Sequence, residues 1–179
     1  MTEASDLPRV DIIQLQEQFM TRQLYLDGTL HPHRHTALSP EVSGVLIARR
    51  VQIGARVTRG DTLFQIDPQR YVLQRTQCSA ELNAARSRAL MADQTWQRVK
   101  RLYVDETATE EELQRATFDK DSANAHKRSA KAALKMAQLD LKKTVLRSPF
   151  NGEVAAVHGE VGQTVAAGHP LVQIVSTDT

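Results

Sequence analysis

The chain has 179 residues, with 23 Lys and Arg against 21 Asp and Glu; a formal net charge of +2 gives no support to phosphate-neutralising contact with nucleic acid. Aromatics are only 4 %, apolar residues 41 % and charged residues 25 %, which excludes a single large aromatic core and fits an elongated folded protein of one or two domains. No apolar run approaches the ~18 residues of a membrane-spanning helix, and the one cysteine, Cys78, excludes an internal disulfide.

The start, MTEASDLPRVD, lacks a charged region leading into an apolar one. Either the protein is cytoplasmic, or an export signal and anchor lie outside this sequence. Between Val10 and Thr29 an imperfect alternation predicts one or two weak strands. In His31-Pro32-His33-Arg34-His35 the proline removes a ladder donor, so an extended connector is expected. On an extended strand His31, His33 and His35 would share one face and could bind a divalent metal. No carboxylate or cysteine partner stands nearby, so an exposed polar connector is preferred and no metal site is assigned.

Short strands follow at Val45 to Ile47 and Val51 to Val57, and Arg59-Gly60-Asp61 turns tightly into Leu63 to Ile66. Pro68 then opens a helical stretch, at a first turn that tolerates proline. Glycine and proline are absent from there to Tyr103 and again from Thr109 to Lys143. Tyr71, Cys78, Leu82, Ala85, Ala89, Ala92, Trp96, Val99 and Tyr103 recur at steps of three and four. So do Leu113, Ala116, Ala123, Ala130, Leu134, Ala137 and Leu141. This is heptad spacing with an alanine-rich seam, suited to a close antiparallel pair; Arg75, Lys120 and Lys127 interrupt it. Cys78 reads as a small half-buried residue of that seam. The interval Val104 to Ala108 permits only a reversal, and Thr109 with Glu112 three residues later is a capping box. Each helix of about 35 residues would be roughly 50 Å long. Ala167-Gly168-His169 then turns into a last strand at Leu171 to Val175.

The segments on either side of the helices are one sequence written twice. Gly44, Gly54 and Gly60 match Gly152, Gly162 and Gly168 at one constant offset, and Val57, Leu63, Gln65 and Ile66 match Val165, Leu171, Gln173 and Ile174 at the same offset. Neither copy carries enough apolar surface for a core of its own, so the two should close on each other as a small sandwich. The expected organisation is an extended segment at 1–37, a β-domain in two halves at 38–67 and 144–176, and a helical hairpin at 68–143 with its tip near 103–109.

Two glycine-punctuated β-halves follow the plan of biotinyl and lipoyl carrier domains. Split by an antiparallel hairpin, that plan resembles the periplasmic adaptors, or membrane fusion proteins, of tripartite efflux pumps. The resemblance rests on Leu38-Ser39-Pro40-Glu41-Val42-Ser43-Gly44, Val57-Thr58-Arg59-Gly60-Asp61-Thr62-Leu63 and Leu146-Arg147-Ser148-Pro149-Phe150-Asn151-Gly152. It continues through Gly162-Gln163-Thr164-Val165 and Gly168-His169-Pro170-Leu171. It implies an α+β fold: a split lipoyl-like β-sandwich, or barrel-sandwich hybrid, interrupted by a two-helix coiled coil. The resistance-nodulation-division branch carries Arg, three residues, Leu, six residues and Ser at its hairpin tip. Arg98, Leu102 and Thr109 fall on that spacing, with Thr in place of Ser. The resemblance implies that they contact a TolC-like outer-membrane channel; the plainer reading is that Thr109 only caps its helix and Arg98 is solvated. A hairpin of about five heptads leans toward the same branch.

The resemblance further implies an inner-membrane pump as second partner, self-association into a ring (six copies in the family), and a periplasmic location with inner-membrane anchoring. Family members usually carry a β-barrel, a membrane-proximal domain and a lipidated cysteine or membrane helix, none legible here. A core fragment or a shortened member is therefore expected. The main rival is a carrier subunit bearing biotin or lipoate, for which Lys142 and Lys143 are the nearest lysines to the junction of the halves; the end of a long helix is a poor place for a swinging arm. A metal-efflux adaptor using His31, His33 and His35 is a second alternative, and a plain coiled-coil scaffold leaves the repeat unexplained. No nucleophile–base pair, Gly-x-Ser-x-Gly or phosphate loop occurs, so neither enzymatic activity nor a cofactor is expected.

Overall fold

The computed structural model describes residues 35–176, and residue 14. The chain divides into two units, Met1–His31 and Pro32–Thr179, and the architecture that follows belongs to the second. The strands expected between Val10 and Thr29, together with His31 and His33, lie outside the described residues.

Eight strands and two helices follow in order: β1 (His35–Leu38), β2 (Gly44–Arg49), β3 (Arg56–Val57), β4 (Thr62–Ile66), α1 (Gln69–Val104), α2 (Glu110–Lys143), β5 (Val145–Arg147), β6 (Gly152–Val157), β7 (Thr164–Val165) and β8 (Val172–Ser176). They form two four-stranded sheets, β1-β8-β6-β3 and β5-β4-β2-β7, paired antiparallel throughout. The two-residue strand β3 of the first half edges a sheet whose centre comes from the second, and β7 repays the exchange. The halves thus interlock through backbone ladders, which explains why neither needs a core of its own.

Backbone hydrogen bonds obey the repeat almost atom for atom. Leu46 N donates to Gln163 O at 2.9 Å, and its counterpart Val154 N to Ala55 O at 3.0 Å. Gly54 N reaches Val154 O at 2.8 Å, and Gly162 N reaches Leu46 O at 2.8 Å. Equivalent side chains fill the common core: Leu46 with Val154, Val57 with Val165, Leu63 with Leu171, Phe64 with Val172 and Ile66 with Ile174 are all buried. Each large member contributes about 1.5–3 kcal/mol through the apolar surface it removes from water.

Two local expectations differ from the structure. Val51 to Val57 is not one strand: Gly54 adopts φ +80°, Ala55 N closes on Gln52 O, and only Arg56–Val57 remains extended. Pro68 is the N-cap of α1, one place earlier than expected, and Asp67 Oδ1 accepts from Gln69 N at 3.0 Å. Strand β1 also begins upstream of the boundary drawn after residue 37. It completes the β8 edge as β5 completes the β4 edge.

The helices pack along the alanine seam. Cys78, Leu82, Ala85 and Ala89 of α1 and Ala116 and Ala137 of α2 are buried. At 1.5 Å per residue α1 is about 54 Å long and α2 about 51 Å. At the root, Tyr71 OH donates to Ser43 O at 2.7 Å, Ile66 N to Thr144 O at 2.8 Å, and Lys143 pairs with Glu41 at 2.6 Å. Both helices are therefore fastened to the first β-half.

Candidate docking site at the hairpin tip

The hairpin turns in five residues, and the turn is closed from both sides. Helix α1 ends in a Schellman arrangement: Thr107 N donates to Leu102 O at 2.8 Å and Glu106 N to Tyr103 O at 3.1 Å. The motif requires a left-handed residue, and Glu106 supplies it at φ 56°, alone among the described non-glycine residues. Ala108 N at 3.2 Å and Thr107 Oγ1 at 2.9 Å also donate to Leu102 O, which thus accepts three bonds. Helix α2 starts at the capping box. Glu112 N donates to Thr109 Oγ1 at 3.2 Å, and Thr109 N donates to Glu112 Oε2 at 2.8 Å. The Thr109 N–H, followed by its hydroxyl, holds the Glu112 carboxyl below the ordinary glutamate value. Glu110, Glu111 and Glu112 also face the positive end of α2.

Below this braced turn, within α1, Arg98 is exposed, its guanidinium within 3.5 Å of Thr95 Oγ1. Leu102 is 43 % exposed although its carbonyl is the hub of the turn. Thr109 is exposed, but its hydroxyl is engaged with Glu112. The three residues expected from spacing thus occupy one end of the hairpin with distinct chemistry: an exposed cation, an apolar knob and a committed cap. Tyr103, expected as the last residue of the α1 seam, is instead 40 % exposed, and with Val104, 73 % exposed and not singled out by spacing, it enlarges the apolar surface there. Their position at the last turn of a helix that has left its seam was the available signal.

The other candidates fare differently. Lys143 lies in the last turn of α2, ion-paired with Glu41, and Lys142 O accepts from the capping Thr144 N. Neither stands on an exposed strand turn, the geometry a swinging arm needs. His35 is exposed at the head of β1. Among the described residues no cluster of three or more His, Cys, Asp or Glu is assembled for a metal.

A family model described as "RND MFP, barrel-sandwich hybrid domain" matches residues 34–177, the whole span of both sheets and the hairpin. The chain belongs to this family of membrane fusion proteins. The antibiotic efflux pump periplasmic linker protein ArpA of Pseudomonas putida is 32 % identical over 165 residues, covering 92 % of this chain and 41 % of ArpA. The multidrug efflux pump subunit AcrA of Escherichia coli (strain K12) is 27 % identical over 162 residues, 90 % of this chain and 41 % of AcrA. Among solved structures, a MacA–MexA chimeric protein containing the Pseudomonas aeruginosa MexA alpha-hairpin domain superposes with a TM-score of 0.61 at 26 % identity, covering 81 % of this chain and 48 % of the chimera. This membrane fusion protein sequence thus spans about two fifths of the length of the curated relatives it matches. The split sandwich and hairpin expected from the repeat are the barrel-sandwich hybrid of the family.

Proposed function

We propose that this chain serves as a periplasmic adaptor of a tripartite efflux pump, with its hairpin tip docking an outer-membrane channel and its β-body serving an inner-membrane transporter. The observation that carries the reading is the braced tip: a turn locked by a Schellman motif and a capping box, yet presenting Leu102 and Arg98 to solvent. A turn whose backbone is already fixed by hydrogen bonds loses little backbone entropy on docking, which favours affinity. The names of ArpA, a periplasmic linker, and AcrA, an efflux pump subunit, point the same way. Periplasmic placement and inner-membrane anchoring of the complete protein belong to the same proposal, as does the absence of catalysis: transport and its energy belong to the pump.

Self-association into a ring, with six copies as in the family, also belongs to it. Leu73, Ala80, Ala84, Ser87 and Met91 form a second heptad row on the exposed face of α1, and Phe118, Ala125, Ser129, Ala132 and Met136 form one on α2. Small and apolar residues in such rows let neighbouring helices approach.

The test places Arg98→Asp and Leu102→Asp separately in the complete protein, expressed with its pump and channel. Efflux-dependent resistance should be lost while the helical circular dichroism and melting temperature hold. Resistance that survives both changes would sink the tip assignment. Should an aspartate variant misfold, Leu102→Ser provides a milder disruption of the same contact.

A further inference from the structure

The hairpin has two inter-helix grooves, and they differ in charge. One is lined by Arg70, Gln74, Met136 and Asp140 near the root and by Glu81, Arg88 and His126 further out, so acids and bases nearly balance. The other is lined between the helices by Arg86, Asp93, Lys127 and Lys131, and toward the tip it is followed by a concavity of α1 lined by Trp96, Lys100 and Arg101. Lys120 joins it, 2.8 Å from Asp93 and 3.5 Å over the Trp96 ring. The cations Arg86, Lys100, Arg101, Lys120, Lys127 and Lys131 thus share a groove whose acids are Asp93, already paired, and Asp105 at the tip. The local excess of cations over carboxylates sets this side apart from the balanced groove opposite.

The same groove has an apolar floor. Leu82 and Ala89 are buried within it, while Leu90 and Val104 stand 60 % and 73 % exposed along it. Arg86, Leu90, Asp93, Gln97, Lys100 and Val104 follow one another at steps of three and four, so they line one side of α1 over about 27 Å. Polyanion binding would explain the lysines but would leave Leu90 and Val104 idle. Apolar anchors at helical spacing flanked by cations match an amphipathic helix laid in the groove, its apolar side down and its carboxylates over the lysines.

We propose that the Arg86–Val104 side of the hairpin is a second docking surface, which binds an acidic amphipathic helix of a partner protein. Arg98, Leu102 and Thr109 do not line this surface; Val104 and Asp105, where it reaches the tip, are shared with the tip, so Leu90, Lys127 and Lys131 are the positions that distinguish the two.

Trp96 is the only tryptophan of the chain and sits in the groove, its Nε1 donating to Thr117 Oγ1 at 3.0 Å, so it reports binding directly. The experiment titrates the full chain with a monomeric, hydrocarbon-stapled peptide of three heptads carrying Leu on one stripe and Glu beside it, following Trp96 emission at low ionic strength. A saturable shift is expected, weakening with added salt as exposed charges are screened. The double variant Lys127→Glu, Lys131→Glu should weaken binding at least tenfold, and Leu90→Ser several-fold. Arg88→Glu, in the opposite groove, should leave it unchanged. All these side chains except Lys127 are exposed, and circular dichroism checks each fold. Absence of saturable binding overturns the proposal. So does equal weakening by Arg88→Glu, which would indicate net charge alone. Binding of polyglutamate as tightly as the stapled peptide also overturns it, in favour of a general polyanion surface.

Discussion

Lys120 stands 3.5 Å over the ring of Trp96, a lysine of α2 seated on the one tryptophan of α1. It interrupts the heptad seam and is nevertheless only partly exposed, because its ammonium sits over the aromatic face and also reaches Asp93 at 2.8 Å. Lys120→Ala should therefore lower the stability of the hairpin by about 1 kcal/mol through the lost cation–π contact, whereas Lys120→Arg should retain most of it. Urea unfolding followed by Trp96 emission measures both, and equal loss in the two variants would contradict the stacked geometry.

The same pair sets an acid response. Hydrogen bonding from Lys120 holds the Asp93 carboxyl below the ordinary aspartate value against the opposing desolvation, with smaller contributions from the Lys120 charge, the Gln97 amide and the Lys127 charge. A depressed carboxylate pKa adds stability that is fully present above the unfolded value, about 3.9, and is lost as pH falls through the folded value. Glu112 behaves likewise through its bonds from Thr109. Thermal melting from pH 6 downward should thus show the wild type losing more stability below about pH 4 than Lys120→Ala does. Parallel curves would show that the pairing contributes nothing.

Phe64 and Gly159 form a compensating pair. A Cβ on Gly159 would lie 3.0 Å from Phe64 Cε1, 3.1 Å from Leu46 Cδ1 and 3.3 Å from Leu171 Cδ2. At the repeat-equivalent positions the larger ring is replaced by Val172 and the glycine by buried Val51. The volume has been exchanged between the halves. Gly159→Ala should cost about 1–3 kcal/mol by overpacking, and combining it with Phe64→Leu should cost less than the sum of the two changes. A double-mutant cycle in denaturant reads the coupling, and strict additivity would mean that the ring and the glycine are independent.

The division between what could be read from residues and what could not follows this symmetry. Gly54, Gly60, Gly162 and Gly168 all take positive φ, so their recurrence was a backbone requirement visible as letters. The Thr109–Glu112 box was equally legible, because both partners lie within one turn. Strand β1 was missed although Thr36 and Leu38 match Thr144 and Leu146 at the same offset; two identities in a short strand are a weak signal without the glycines. The exchange of β3 and β7 between sheets could not be read, since two-residue strands carry no periodicity. Nor could the basic groove, which depends on the register of α1 against α2. Arg98 and Leu102 entered through the spacing of the family's hairpin tip, but Glu106 was not legible, because glutamate rarely serves as a left-handed C-terminal residue.

That glutamate supplies a prediction. A side chain held in the left-handed region costs about 1–2 kcal/mol, part of which glycine recovers at the expense of a more flexible unfolded chain. Glu106→Gly should therefore leave the hairpin as stable as before or more so, while Thr109→Ala should destabilise it by about 1 kcal/mol and Thr109→Ser should be nearly neutral. Amide exchange of residues 102–113 distinguishes the cases. Faster exchange in Glu106→Gly than in Thr109→Ala would show that the turn does not depend on its capping box.

The root of the hairpin should yield locally before the β-body does. Tyr71 OH ties α1 to Ser43 O, and Lys143 ties α2 to Glu41, so each helix has its own side-chain fastening to the same short segment. The tyrosine bond is worth about 1 kcal/mol, while the largely exposed ion pair contributes less. Tyr71→Phe should raise exchange of the amides in the first turn of α1 without changing the protection of Leu63, Phe64 or Ile174, which are buried in the sandwich. Lys143→Ala alone should do little; joined to Tyr71→Phe it should have a larger effect, because the remaining backbone links, Ile66 N to Thr144 O and Asp67 N to Val45 O, then hold both helices unaided. Such a result would locate a hinge between rod and sandwich. If Leu63 and Ile174 lose protection in step with the root, hairpin and β-body open as one cooperative unit and no hinge exists there.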